Sequence, residues 1–121
     1  MVELTFKNGL IPVATQDYET GEVLMIAFMN DEAFELTRQT DCVHYWSRTN
    51  ERVWKKGEVS GHFQWVKEIL VDCDGDALVI KVDQVEAACH TGFRSCFFRT
   101  IEGKTIGKKV FDPAEVYKES A

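Results

Sequence analysis

The chain predicts a strand-rich α+β fold: a mixed or antiparallel sheet core with two short helices, in one domain spanning residues 1–121. Three observations carry this expectation. Apolar, β-prone runs of strand length recur along the chain, turn residues separate several of them, and helix-start signals occur at only two places, Asn30 and Asp112. A chain of 121 residues buries about two-thirds of its unfolded surface, enough for one core without covalent staples.

In chain order, Leu10 to Thr15 and Val23 to Phe28 read as strands, joined through D-Y-E-T-G, which carries the Asp and Gly of a turn. Asn30 is an N-cap, with Asp31 and Glu32 where a helix dipole favours negative charge, so a short helix is expected to about Gln39. Cys42 to Ser47 returns to strand. From Phe63 to Val71 apolar residues fall on both faces, which suits a strand covered on both sides or lying in a subunit contact. Ala77 to Val82 is its β-prone successor. Phe97 to Ile101 and Thr105 to Val110 flank E-G-K as a hairpin, and Asp112, Pro113 and Glu115 open a second helix.

Composition narrows the class. Hydrophobic residues at 45% and charged residues at 28% are ordinary for a soluble globular protein. The longest apolar run, Val23 to Met29, is far short of the roughly 20 residues of a membrane helix, and the N-terminus lacks the basic flank of a signal peptide. A cytoplasmic protein is expected, with no membrane partner. A net charge of −6 argues against nucleic-acid binding. It leaves room for a small phosphorylated ligand, because Arg48, Arg52, Lys55 and Lys56 cluster within one stretch, followed by Lys67 and Arg94.

The chemistry concentrates in two segments. In D-C-D-G-D, Asp72, Asp74 and Asp76 alternate around Cys73; in A-C-H-T-G-F-R-S-C, Cys89 and Cys96 are close in sequence. Thiolates prefer zinc and carboxylates suit magnesium or calcium. A catalytic zinc keeps one position open for water, so three thiols lean towards catalysis, although the tight C-x2-C spacing of a zinc knuckle is absent. In an extended strand the three aspartates share one face about 6.6 Å apart, with Cys73 on the other, whereas a bend at Gly75 brings both ligand sets towards a common substrate. An EF-hand is excluded because Ala77 replaces the turn glycine and A-L-V-I-K-V reads as a strand.

His62 and His90 are candidate proton-transfer groups, since an imidazole titrates near neutrality. His44, inside V-H-Y-W, reads as structural, as does the isolated Cys42. Gly57, Gly61 and Gly92 permit close backbone approach to phosphate, and with Lys55, Lys56 and Arg94 they outline a phosphate-binding rim.

The stretches G-L-I-P, Q-D-Y-E-T-G-E-V-L-M-I-A-F-M-N, H-Y-W-S-R, W-K-K-G-E-V-S-G-H-F-Q, V-D-C-D-G-D-A-L and A-C-H-T-G-F-R-S-C-F-F-R cover Gly9 to Arg99 almost continuously. In that order they resemble the phosphoribosyl-AMP cyclohydrolases of histidine biosynthesis. The resemblance implies that Cys73, Cys89 and Cys96 bind zinc, with thiols drawn from both subunits of an intertwined homodimer, and that Asp72, Asp74 and Asp76 bind magnesium. It further implies a single-function chain, the preceding pyrophosphohydrolase step falling to another protein.

The implied reaction is hydrolysis of the N1–C6 bond of 1-(5-phosphoribosyl)-AMP, the third step of the pathway. It yields the phosphoribosyl-formimino aminoimidazole carboxamide ribotide (ProFAR). A zinc-bound hydroxide is the expected nucleophile, His90 or His62 the proton carrier, magnesium a partner for phosphate. Arg48, Lys55, Lys56, Gly57, Thr91 and Arg94 are the expected substrate-binding residues. The rival reading is a zinc-stabilised dimeric interaction module without catalysis. A nucleobase deaminase is excluded because H-x-E and P-C-x-x-C are absent.

Overall fold

The computed structural model describes residues 1–117. Six strands and two helices follow in the order β1 (Ile11–Asp17), β2 (Val23–Met29), α1 (Asp31–Thr40), β3 (His44–Ser47), β4 (Arg52–Lys55), β5 (Gln64–Val71), β6 (Leu78–Gln84) and α2 (Pro113–Val116). The strands form one sheet, ordered β4-β3-β2-β1-β6-β5. β1 and β6 run parallel and the other neighbours antiparallel, so the sheet is mixed. It also curls. Val43 N–H donates to the Gln64 carbonyl at 3.0 Å and Val66 N–H to the Asp41 carbonyl at 2.8 Å, returning the edge strand β5 to the segment that leads into β3.

The β1–β2 hairpin forms where its turn chemistry placed it. Asp17 Oδ1 accepts from the backbone N–H of Glu19 at 2.8 Å and of Thr20 at 3.2 Å, which folds D-Y-E-T-G back on itself. Asn30 Oδ1 accepts from Ala33 N–H at 2.8 Å and starts α1. The helix ends at Asp41, whose left-handed φ of 59° lets its own N–H reach the Thr37 carbonyl. α1 then packs across β2 and β3.

Ile11, Val13, Leu24, Met29, Val43, Tyr45, Ile80 and Val82 fill the inside of the curl and are wholly buried. A polar chain crosses this core. Tyr45 hydroxyl donates to Gln64 Oε1 at 2.6 Å, Thr15 Oγ1 lies 2.6 Å from the same hydroxyl, and Gln64 Nε2 donates to Gln84 Oε1 at 2.8 Å. Four strands, β1, β3, β5 and β6, are thereby tied by satisfied buried groups.

Three elements depart from the expectation. β5 does not alternate strictly, because its register against β6 shifts between Val66 and Glu68. One extra residue reverses the face of everything beyond it, so Gln64, Val66, Ile69 and Val71 turn inward while Trp65 and Leu70 are exposed. β4 has no counterpart in the expected elements; its charged ends hide a strand that pairs Tyr45 with Trp54, their rings 5.2 Å apart.

The hairpin expected over Phe97 to Ile101 and Thr105 to Val110 reduces to isolated bridges, Arg99 with Thr105 and Phe93 with Lys109. Its apolar residues find no core face: Ile101 is 96% and Ile106 64% exposed. A lone two-stranded ribbon is marginal without one. α2 does form, capped by Asp112 Oδ1 accepting from Ala114 N–H at 3.0 Å, with Pro113 in its first turn. Among the described residues no helix is long and apolar enough to cross a membrane.

Candidate active site

Beyond β6 the chain makes a compact loop. Ala88 N–H donates to the Arg94 carbonyl at 2.8 Å, Cys89 N–H to the Phe93 carbonyl at 3.2 Å, and Cys96 N–H to the Leu24 carbonyl at 2.8 Å. These bonds close A-C-H-T-G-F-R into a tight turn and bring the Cys96 thiol close enough to Cys89 for the two to interact electrostatically. Thr91 Oγ1 lies 2.8 Å from Cys89 Sγ. Cys96 keeps solvent access, yet the surrounding protein and the adjacent Cys89 push its thiol up to about 11. Two soft sulfurs brought near one another suit a thiophilic metal such as zinc.

The end of β4 meets this loop. Lys56 Nζ donates to the carbonyl of Ala88 at 2.5 Å and lies 5.6 Å from the Trp54 ring centre. Burial lowers the Lys56 pKa, while the nearby Cys96 and Cys89 act to raise it. Next to it Gly57 has φ of 93°, and a Cβ there would meet Phe63 N and Phe63 Cδ1 at 2.8 Å. Glycine alone allows that backbone approach. Glu58 fastens the turn, its Oε1 accepting from Arg52 Nη2 and from Lys55 N–H, each at 3.2 Å.

An open pocket of about 250 Å³ results, lined by Arg52, Trp54, Lys55, Lys56, Gly57, Ser60 and His90. An apolar cavity of about 260 Å³ lies elsewhere, between the N-terminus and α1, with Arg38 its one cation.

The two candidate histidines differ in setting. His90 is exposed at the pocket wall. His62 is buried, its ring edge-on to Phe111 at 4.7 Å, and its Nδ1 has no hydrogen-bond partner among the described residues. Burial, and secondarily the Lys56 charge, lower its pKa against the opposing pull of Glu86. His44 is buried with Nδ1 2.8 Å from the Cys42 carbonyl, a structural contact.

Arg94 and Arg48 stand apart from the pocket lining. Arg94 Nη2 pairs with Asp17 Oδ2 at 2.5 Å, and its Nη1 donates to the Glu86 carbonyl at 2.7 Å. Arg48 stacks over the Phe28 ring at 4.3 Å. Trp54 and Ser60, by contrast, line the pocket without having been singled out from the sequence; their position inside W-K-K-G-E-V-S-G was the available signal.

The aspartates occupy the β5–β6 turn. Asp72 Oδ1 accepts from Asp76 N–H at 3.0 Å and from Ala77 N–H at 3.2 Å, and Gly75 takes φ of 75°. The bend exists, and it gathers one carboxylate oxygen from each of Asp72, Asp74 and Asp76 within 4.8 Å of one another. Hydrogen bonds to Asp76 and Asp72, and their negative charges, hold the Asp74 carboxyl above its ordinary range. Lys7, 3.0 Å from Asp76, offsets only one of three charges. The donor set fits a hard divalent cation.

Cys73, exposed on the same turn, lies at the opposite end of β6 from Cys89 and Cys96. A strand of that length spans roughly 20 Å, so the three thiols of one chain do not meet.

A thiol pair opening beside a cationic pocket and an accessible imidazole is equipment for catalysis more than for passive binding, and comparison with known proteins agrees: the chain is a hydrolase. The profile of the family described as phosphoribosyl-AMP cyclohydrolase matches residues 25–98. Curated proteins of that name are similar over nearly the full length. That of Methanocella arvoryzae is 61% identical, covering 98% of this chain and 99% of its own. That of Methanococcoides burtonii is 61% identical over 91% of both, and that of Methanoregula boonei 58% identical over 97% and 96%. The chain belongs to the phosphoribosyl-AMP cyclohydrolase family.

Proposed function

We propose that the chain opens the adenine ring of 1-(5-phosphoribosyl)-AMP at the N1–C6 bond to give ProFAR, in the cytoplasm and within histidine biosynthesis. The observation carrying this reading is the Cys89–Cys96 pair beside the basic pocket that holds His90. Cys89, Cys96 and the Cys73 thiol of a second copy would hold zinc, which would supply a Lewis acid able to lower the pKa of water to about 7.

The chain's own groups do the rest. Lys55, Gly57 and Arg52 at the pocket hold a substrate phosphate. Water adds at C6, and the imidazole of His90, exposed at the pocket wall, carries a proton to N1 as the N1–C6 bond breaks. His62, buried against Phe111 and absent from the pocket lining, is the less suited of the two candidate proton carriers. Asp72, Asp74 and Asp76, whose carboxylate oxygens converge, would hold magnesium, which would offset phosphate charge near an acidic protein surface.

The separation of the thiols supports a homodimer. Cys73 shares its turn with the aspartates, so pairing that end of one copy with the Cys89 loop of another assembles both ligand sets around one pocket. Exposed Trp65 and Leu70 on β5 supply apolar surface for such pairing.

Turnover of the substrate by purified protein supplied with zinc and magnesium, followed by the absorbance change of ring opening, tests the reading. No turnover with both metals present would sink it. Full activity after removal of tightly bound zinc would refute the role given to the thiols.

A further inference from the structure

Lys56 belongs by sequence to the cationic cluster of the β4 end, but its ammonium is directed elsewhere from that of Lys55. Lys55 Nζ lies over the Phe63 ring at 4.9 Å. Lys56 Nζ instead ends on the carbonyl of Ala88, the residue preceding Cys89, at 2.5 Å. Its backbone N–H is itself anchored on the Val43 carbonyl at 3.0 Å, so the side chain departs from a fixed point of the sheet. Trp54 covers its other side.

We infer that Lys56 is a positioning residue of the thiol pair, its ammonium pinning the Ala88–Cys89 peptide and offsetting the negative charge of the thiolates when they hold a metal. The inference rests on the zinc reading proposed above. Three thiolates around a divalent zinc leave one net negative charge, in a setting where water screens it poorly. A fixed ammonium reduces that cost, and the charge in turn offsets the cost of half-burying a lysine. Groups placed behind metal ligands in this way commonly account for 10- to 100-fold in metal affinity.

Zinc affinity at constant pH, read by competition with a chromophoric chelator, is the test. Lys56→Met keeps most of the side-chain volume without the charge and is expected to weaken zinc binding about tenfold or more. Lys56→Arg, which keeps the charge, is expected to recover most of that loss, and Lys55→Met to leave the affinity unchanged. Lys56→Met binding zinc like the wild type, Lys56→Arg losing as much as Lys56→Met, or Lys55→Met losing equally overturns the inference.

A second measurement uses the unaltered chain and so does not depend on a variant folding. Amine acylation read residue by residue by mass spectrometry is expected to slow severalfold at Lys56 on adding zinc, with Lys55 unaffected; equal labelling with and without zinc overturns the inference. Zinc binding that survives Cys89→Ser undiminished refutes the metal reading as well, whereas zinc binding lost in Cys89→Ser but unchanged in Lys56→Met refutes the lysine role alone.

Discussion

Arg94 and Asp17, 77 residues apart in the chain, meet at 2.5 Å and join the β1–β2 turn to the loop that carries Cys89 and Cys96. Asp17 is buried and also accepts two backbone N–H bonds from its own turn, so it is a fixed anchor. The cysteine loop has no strand pairing of its own beyond isolated bridges, and this ion pair acts with the bonds of Cys96 and Ser95 to β2 to set its position.

Replacing Arg94 by Gln leaves the buried carboxylate without its charged partner. A loss of about 2 kcal/mol in stability is expected, measured by urea denaturation, together with weaker activity as the loop loosens. Unchanged stability would mean the pair contributes nothing net.

The same pair predicts an acid dependence. Burial by itself raises the Asp17 carboxyl, but Arg94 and the N–H groups of Glu19 and Thr20 outweigh it and hold the pKa below 3.8. A depressed carboxyl stabilises the fold fully above its unfolded value and loses that contribution as pH falls through the folded one. The wild type should therefore lose stability below about pH 4 more steeply than Asp17→Asn, in which this titration is absent. Parallel stability curves from neutral to strongly acidic pH would contradict this.

Gly57→Ala places a methyl 2.8 Å from Phe63 N and 2.9 Å from the His62 carbonyl carbon, both backbone atoms, at a φ of 93°. The loop must move to accept it. Activity is expected to fall about 100-fold, the cost of displacing positioned groups by an ångström, with zinc content retained. Near-normal kcat would show that this loop does not position the reacting groups.

If each site takes Cys73 from one copy and Cys89 from the other, then Cys73→Ser and Cys89→Ser chains should each be inactive alone and regain activity when unfolded together and refolded. Random pairing places one intact site in half of the dimers, so about a quarter of wild-type activity is expected. No recovery in the mixture, with dimers formed, would exclude the shared site.

Tyr45→Phe removes the hydroxyl that joins Thr15 to Gln64 in the core. The cost should be about 1–3 kcal/mol, that of stranding buried partners, read as a lower denaturation midpoint with little change in kcat.

Much of the fold was legible because its signals are local. The turn at Asp17 and the Asn30 and Asp112 caps act through neighbouring residues, and each formed where expected, as did the apolar runs before residue 85. The bulge in β5 and the failed ribbon after Phe97 were not legible, because both depend on what lies opposite: a register against β6 in one case, the lack of a core face in the other. The same division runs through the site. Asp72, Asp74 and Asp76 were readable from their spacing, while the cluster of Arg48, Arg94, Lys55 and Lys56 split once folded. Arg94 turned to Asp17 and Arg48 to Phe28, away from the pocket, while Lys55 and Lys56 line it, Lys56 with its ammonium on the Ala88 carbonyl.

By itself the sequence determined the strand-rich class, the hairpin and helix caps, the thiol and carboxylate motifs and the family, since each is encoded in residue type and short spacing. Tertiary structure alone decided that Cys89 and Cys96 come close while Cys73 lies at the far end of β6, that the aspartates converge through a bend at Gly75, and which cations face the pocket. The reason is geometric. A side chain's partner across a curled sheet is set by register and loop closure, quantities that no stretch of neighbouring residues contains.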